Sequence, residues 1–141
     1  MTSARWLAQR QVMFLLRLSL AVVFFWFGLL KFVNLSPVVD LLRNSFPLLA
    51  TSPYLELLGL AEMVIAIGLM VERLSKPAAT LMMLHLLGTL SVALVSPHLI
   101  FAPAFPVLTM TGEFVAKNLV LIMAGLVVRC ARCELDIFSR R

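Results

Sequence analysis

Four stretches of this chain, about 12–33, 54–71, 77–97 and 113–130, are runs of Leu, Val, Ile, Phe, Met and Ala broken by few polar residues. Each is close to the roughly 20 residues a helix needs to cross the hydrocarbon core of a bilayer. Inside lipid a backbone N–H or C=O finds no water, so such a run is committed to helix. Four of them in 141 residues leave room for little else. Composition agrees: the chain is 62% hydrophobic and 13% charged, where soluble domains average about 45–50% and about 25%. The expected fold is an all-α integral membrane protein, a single domain over 1–141 built as a four-transmembrane-helix bundle.

The segments between the runs fit this plan. Pro77 sits where a helix can begin, and Pro97 can close the third run. The connection at 72–76 is short, so runs two and three form an antiparallel hairpin. The second and fourth runs are short for a span and imply an upright helix or a thinned bilayer. The first run is too long for the apolar region of a signal peptide and is followed by no small-residue cleavage site. It reads as a retained helix.

A net charge of +5 would suggest nucleic acid in a soluble protein. Here it reads as topology, and no nucleic-acid partner is expected. Arg5, Arg10, Arg17, Arg73, Lys76, Arg129, Arg132, Arg140 and Arg141 fall on one side, against Lys31, Arg43 and Lys117 on the other. By the positive-inside rule both termini are cytoplasmic. On the outer side, residues 34–53 carry Ser36 and Pro37 as a helix start, with Val38, Val39, Leu41, Leu42 and Phe46 on one face and Asp40 and Arg43 on the other. They predict a short surface helix between helices one and two. Residues 98–112 hold no acid, Lys or Arg and two prolines. That segment is too apolar for a solvated loop and is expected to dip into the interface or cover the bundle's outer mouth.

Polar residues inside spans are costly and rarely idle. Arg17, Ala21, Phe24, Gly28 and Lys31 recur at helical spacing and form one stripe. Gly59, Glu62 and Ala66 share a face of the second helix. Ala78, His85, Thr89, Val92 and Ser96 share one of the third, and Glu113, Lys117 and Ala124 one of the fourth. Each span thus has a small-and-polar face and a lipid-facing remainder, the pattern of a bundle with a polar interior. The charges balance, Arg17, Lys31 and Lys117 against Glu56, Glu62 and Glu113. Lys117 is expected to pair with Glu113 one turn away, with Glu62 across the bundle, or with both. Two readings stay open. The pairs fix which helices are neighbours, with little net stability because desolvation offsets attraction. Or they line an outward-opening pocket for a small ligand, a quinone headgroup or protons. The candidate ligand-binding residues are Arg17, Lys31, Glu62, His85, Glu113, Lys117 and Asn118.

Cys130 and Cys133 form a C-x-x-C at the end of the fourth run. Basic flanks such as Arg129 and Arg132 would favour a reactive thiol, but a helix C-terminus opposes a thiolate. Two further metal ligands are missing, so no metal site is expected, and two reduced, inert thiols are favoured over a redox pair. His85 reads as a hydrogen-bonded packing residue ahead of a proton relay, and His98 as a loop residue. No nucleotide-binding, zinc-protease or serine-hydrolase motif occurs.

Three segments, Arg17–Phe32, Gly59–Leu69 and Gly112–Gly125, resemble the DoxX-like superfamily, nearest its YkgB/RclC-type inner-membrane proteins. Arg17, Trp26, Gly28, Lys31, Gly59, Glu62, Gly112 and Lys117 carry the resemblance. It implies a multi-pass protein of the bacterial inner membrane and a place in oxidative or reactive-chlorine stress or membrane redox chemistry. It supplies no family-wide catalytic mechanism, so enzymatic activity stays open. The expected function is a redox-linked membrane subunit or stress-response protein whose polar intramembrane pocket engages a quinone or small oxidant. The alternatives are a small proton-coupled permease and a non-catalytic assembly or docking subunit. Expected partners are the lipid bilayer and a small-molecule ligand or a redox enzyme; the oligomeric state stays open.

Overall fold

The computed structural model describes residues 2–33, 35–36, 43–44 and 51–138. Its elements are α1 (Thr2–Phe32), α2 (Ser52–Met70), a 3-10 turn (Glu72–Leu74), α3 (Ser75–Leu90), α4 (Val92–Val95), α5 (Pro97–Ile100) and α6 (Met110–Phe138). Among the described residues the only strand-like feature is an isolated bridge between Phe101 and Leu108. Four segments are long and apolar enough to cross a membrane: Gln9–Phe32, Pro53–Met70, Glu72–Val95 and Met110–Ala131. The expected surface helix between the first two spans falls largely on residues outside this description; Arg43 and Asn44 are helical and exposed.

Local sequence explains the boundaries. Pro53 lies in the first turn of α2, where its missing N–H costs nothing. Between α2 and α3 the chain reverses within one tight turn, fastened by Ser75 Oγ donating to the Glu72 carbonyl at 2.9 Å. The expected loop at 72–76 is therefore mostly helical. The third run is interrupted at Ser91, whose hydroxyl donates to the Gly88 carbonyl at 2.6 Å, a back-bond that bends helices. Thr109 starts α6: its Oγ1 accepts from the Gly112 N–H at 2.9 Å, as an N-cap residue does. The same hydroxyl donates to the Leu99 carbonyl at 2.7 Å and so ties α5 to the start of α6.

The four spans pack unequally. The α1–α2 contact is the most extensive, α3–α6 comes next, α2–α3 follows, and α1 and α6 meet only thinly. Glycine makes the first contact possible. A Cβ on Gly28 would stand 2.6 Å from the Gly59 carbonyl oxygen, and one on Gly59 would stand 2.5 Å from that of Gly28. Two backbones touching this closely exclude any larger residue, the usual device for helix association in lipid.

Leu20, Ala21, Phe24, Ile65, Ala66, Leu69, Ala79, Met82, Leu86 and Val128 form the main core. A second cluster of Leu55, Val92, Ile100 and Val115 closes the other end. Ile100 ends α5, so the apolar segment after Pro97 covers that end of the bundle. Phe105, Val107 and Met110 at its tip are exposed. Val22, Phe25, Trp26, Val64, Ile67, Leu84, Val120 and Met123 are exposed along the spans, on the surface that lipid covers.

Candidate functional site

The stripe on α1 and the polar face of α2 meet at one buried ion pair. Helical side chains lean toward their own N-terminus. Lys31 therefore points back along α1, past Gly28, whose place beside the Glu62 Cβ sets the depth of the acid. Its Nζ lies 2.7 Å from each carboxylate oxygen of Glu62. From α3, His85 Nε2 approaches the same Oε1 at 2.6 Å, the separation of a hydrogen bond donated by the ring. Lys31 is 4% and Glu62 3% exposed, so one carboxylate is shared by two partners in near-complete isolation from solvent. The edge of Phe24 packs on the His85 ring, centroids 6.0 Å apart.

Beside this triad lies a cavity of about 470 Å³. Val23, Phe24, Phe27 and Lys31 line it from α1, Glu62 from α2, His85, Leu86 and Thr89 from α3, and Phe114, Lys117, Asn118, Val120 and Leu121 from α6. Every span contributes, and of the neighbouring spans around it α1 and α6 meet least tightly. Near the connector end that seam is bridged by Phe27 and Phe114, packed edge to face at 5.3 Å. Asn118 is buried and donates from Nδ2 to Thr89 Oγ1 at 2.9 Å. That hydroxyl in turn donates to the Leu86 carbonyl at 2.8 Å.

The seven candidate binding residues separate into three groups. Lys31, Glu62, His85, Lys117 and Asn118 line the cavity. Glu113 is exposed and lies outside its lining. Arg17 is elsewhere: fourteen residues before Lys31, it stands about 21 Å away along the helix. Its guanidinium donates to the carbonyls of Leu69 at 2.6 Å and Met70 at 2.8 Å. It thus supplies donors to the last turn of α2, whose carbonyls lack helical partners.

The expected pairing of Lys117 is corrected. Glu62 is taken by Lys31 and His85, and among the described residues no ion pair joins Lys117 to Glu62 or to Glu113. Both Lys117 and Glu113 are exposed. The inward face of α6 is instead Val115, Asn118, Gly125 and Val128, all buried, rotated from the Glu113–Lys117–Ala124 stripe. Gly125 marks that face, since a Cβ there would meet Met82 Cε at 2.5 Å. The Phe27–Phe114 pair was not singled out from the sequence; its one available signal is Phe27 lying one turn before Lys31 on the polar stripe.

Cys130 is exposed and free, and the side chain of Cys133 lies outside the described residues. Among the described residues no group of three or more His, Cys, Asp or Glu side chains is arranged to hold a metal ion.

Fold and site together define a small polytopic membrane protein: four helices around a buried Lys–Glu pair with a half-buried His, and an adjoining apolar cavity. Residues 12–95, more than half of the chain, match the DoxX family, and the protein belongs to it. The match takes in Lys31, Glu62 and His85, and covers the third span as well as the first two; Lys117 and Asn118 lie beyond it. No curated protein and no solved structure matches the chain.

Proposed function

We propose that this DoxX-family protein is a redox-linked membrane subunit or stress-response protein whose intramembrane cavity receives a quinone or similar small oxidant. The supporting observation is the buried Lys31–Glu62 pair, joined by the half-buried His85 and set against an apolar cavity. Pockets of a few hundred Å³ with apolar walls and a few converging polar groups are the common form of small-molecule sites. The donor set suits a quinone ring. Phe24, Phe27 and Phe114 offer aromatic walls. Lys117, and the amide hydrogen of Asn118 not used on Thr89, are donors for two ring carbonyls. When bound, a quinone supplies two-electron, two-proton chemistry. The chain's own contribution is to orient the ring and to hold a proton on His85 or Glu62.

The same reading places the chain as one domain in a bacterial inner membrane, nearest the YkgB/RclC-type branch, with both termini cytoplasmic and the α5–α6 connector outside. The test is lipid extraction of the gently purified protein followed by mass spectrometry. A quinone retained by the wild type and lost from Phe27→Ala or His85→Ala supports the reading. Equal recovery from wild type and variants overturns it. Substrate flux in proteoliposomes marks the transport alternative, and stable co-purification with an enzyme marks the docking one.

A further inference from the structure

The charge of the cavity is not balanced. Lys31 and Glu62 cancel, because each carboxylate oxygen is bound to the same ammonium at 2.7 Å. Thr89 and Asn118 are neutral and bonded to each other. His85 is engaged with Glu62, and protonating it would only add positive charge. The remaining charged group in the lining is Lys117. It stands one residue before the buried Asn118, about a quarter-turn toward the α1–α6 seam. Seven residues into its helix, it is about 10 Å from the start of α6. Its flexible stem leans toward that start, which directs the ammonium toward the connector end of the cavity. Val23, Val120 and Leu121 lie at the other end.

We propose that the cavity is selective for a lipophilic organic monoanion, with the delocalised charge on Lys117 and the apolar body among Phe24, Phe27 and Leu121. This rests on the reading of the cavity as a ligand site. Within the quinone class it selects rings bearing an ionised hydroxyl over neutral rings of equal size. Both ends of the cavity support it. An anion taken out of water requires a cation that is not already committed, and Lys117 is uncommitted among the described residues. The body requires walls that exact no polar desolvation, which three Phe side chains and four aliphatic ones supply. Glu113, one turn nearer the connector and exposed, is the nearest opposing charge along α6, and it weakens the attraction without entering the cavity.

The probes are 2-hydroxy-1,4-naphthoquinone, a vinylogous acid that is ionised at neutral pH, and its neutral 2-methoxy ether. Both are measured by equilibrium dialysis against the full chain in a non-ionic maltoside detergent. The hydroxy compound should bind about tenfold or more tightly, the effect of one charge-assisted hydrogen bond. Lys117→Met should abolish that preference, costing the hydroxy compound far more affinity than the methoxy ether, with the melting temperature unchanged. Lys117→Arg should keep it, and Glu113→Gln should increase it. Equal binding of the two wild-type ligands, or a preference that survives Lys117→Met, overturns the anion inference and leaves the ligand-site reading standing. Failure of both compounds to bind overturns both readings.

Discussion

Glu62 holds Lys31 with both of its carboxylate oxygens, at 2.7 Å each, while His85 approaches one of the two. The pair joins α1 to α2 at the level of the Gly28–Gly59 contact, and His85 brings α3 to the same point. Three of the four spans thus converge on one acid, and the fourth, α6, closes the cavity from the far side.

Glu62→Gln should lower the melting temperature in detergent sharply. Removing one partner of a buried pair leaves an uncompensated charge, at a cost of about 3–5 kcal/mol. The double variant Lys31→Met, Glu62→Gln should recover most of the loss. Lys117→Met combined with Glu62→Gln should recover none, because the two residues do not touch. Recovery in the second combination would restore the pairing that sequence alone suggested.

Gly28→Ala and Gly59→Ala should each destabilise the protein by about 1–3 kcal/mol, the usual cost of overpacking. The added Cβ would stand 2.6 or 2.5 Å from a carbonyl oxygen of the facing helix. Gly88→Ala is the contrast, since nothing lies within 4 Å of its Cβ position. It should be neutral or slightly stabilising through helix propensity. Thermal melting of the three variants side by side decides the matter; equal behaviour would mean the α1–α2 contact is looser than described.

Arg17→Met should loosen the turn between α2 and α3. It removes two charged hydrogen bonds to the last carbonyls of α2, each worth about 1.5–3 kcal/mol. Faster amide exchange, confined to residues around 69–75, is the expected signature. Ligand retention should be unaffected, because Arg17 lies about 21 Å along the helix from Lys31. Lost retention with unchanged exchange would return Arg17 to the site.

For the thiols, changing both Cys130 and Cys133 to Ser should leave intact, at normal protein level, any stress phenotype that the protein confers. Cys130 is exposed and free, and a loss of phenotype would make the C-x-x-C the working centre.

Orientation is tested with single cysteines. In a background lacking Cys130 and Cys133, Phe105→Cys should react with an impermeant thiol reagent in intact cells, since Phe105 is exposed at the connector tip. Reaction only after lysis would invert the assignment drawn from Arg and Lys placement.

The spans were legible because lipid makes length and apolarity nearly sufficient. So were the inward faces of α1 and α2, where Ala21, Phe24, Gly28, Lys31, Gly59, Glu62 and Ala66 are all buried. Partners were not legible. Periodicity says which residues share a stripe but not which stripe a neighbouring helix presents at that depth. Glu62 was equally available on paper to Lys31 and Lys117. The choice follows from the Gly28–Gly59 approach, which sets the register of α1 against α2. On α6 the charged residues drew attention from Val115, Asn118, Gly125 and Val128, whose small or apolar side chains carry the actual contact. The bend at Ser91 and the Phe27–Phe114 pair depend on local hydrogen bonding and tertiary placement, and the sequence offers at most the position of Phe27 one turn before Lys31.

The ion pair between the first two spans also bears on how the chain enters the membrane. During synthesis Lys31, at the end of its span, is in place before Glu62 has been made. Glu62 falls near the middle of the second span, where a lone acid costs about 2.5–3.5 kcal/mol to insert, and the waiting Lys31 offsets that burden. The two helices therefore suit insertion as a single hairpin held at the translocon until residue 70 has emerged. The third and fourth spans, which complete the cavity wall, can be added to that finished unit.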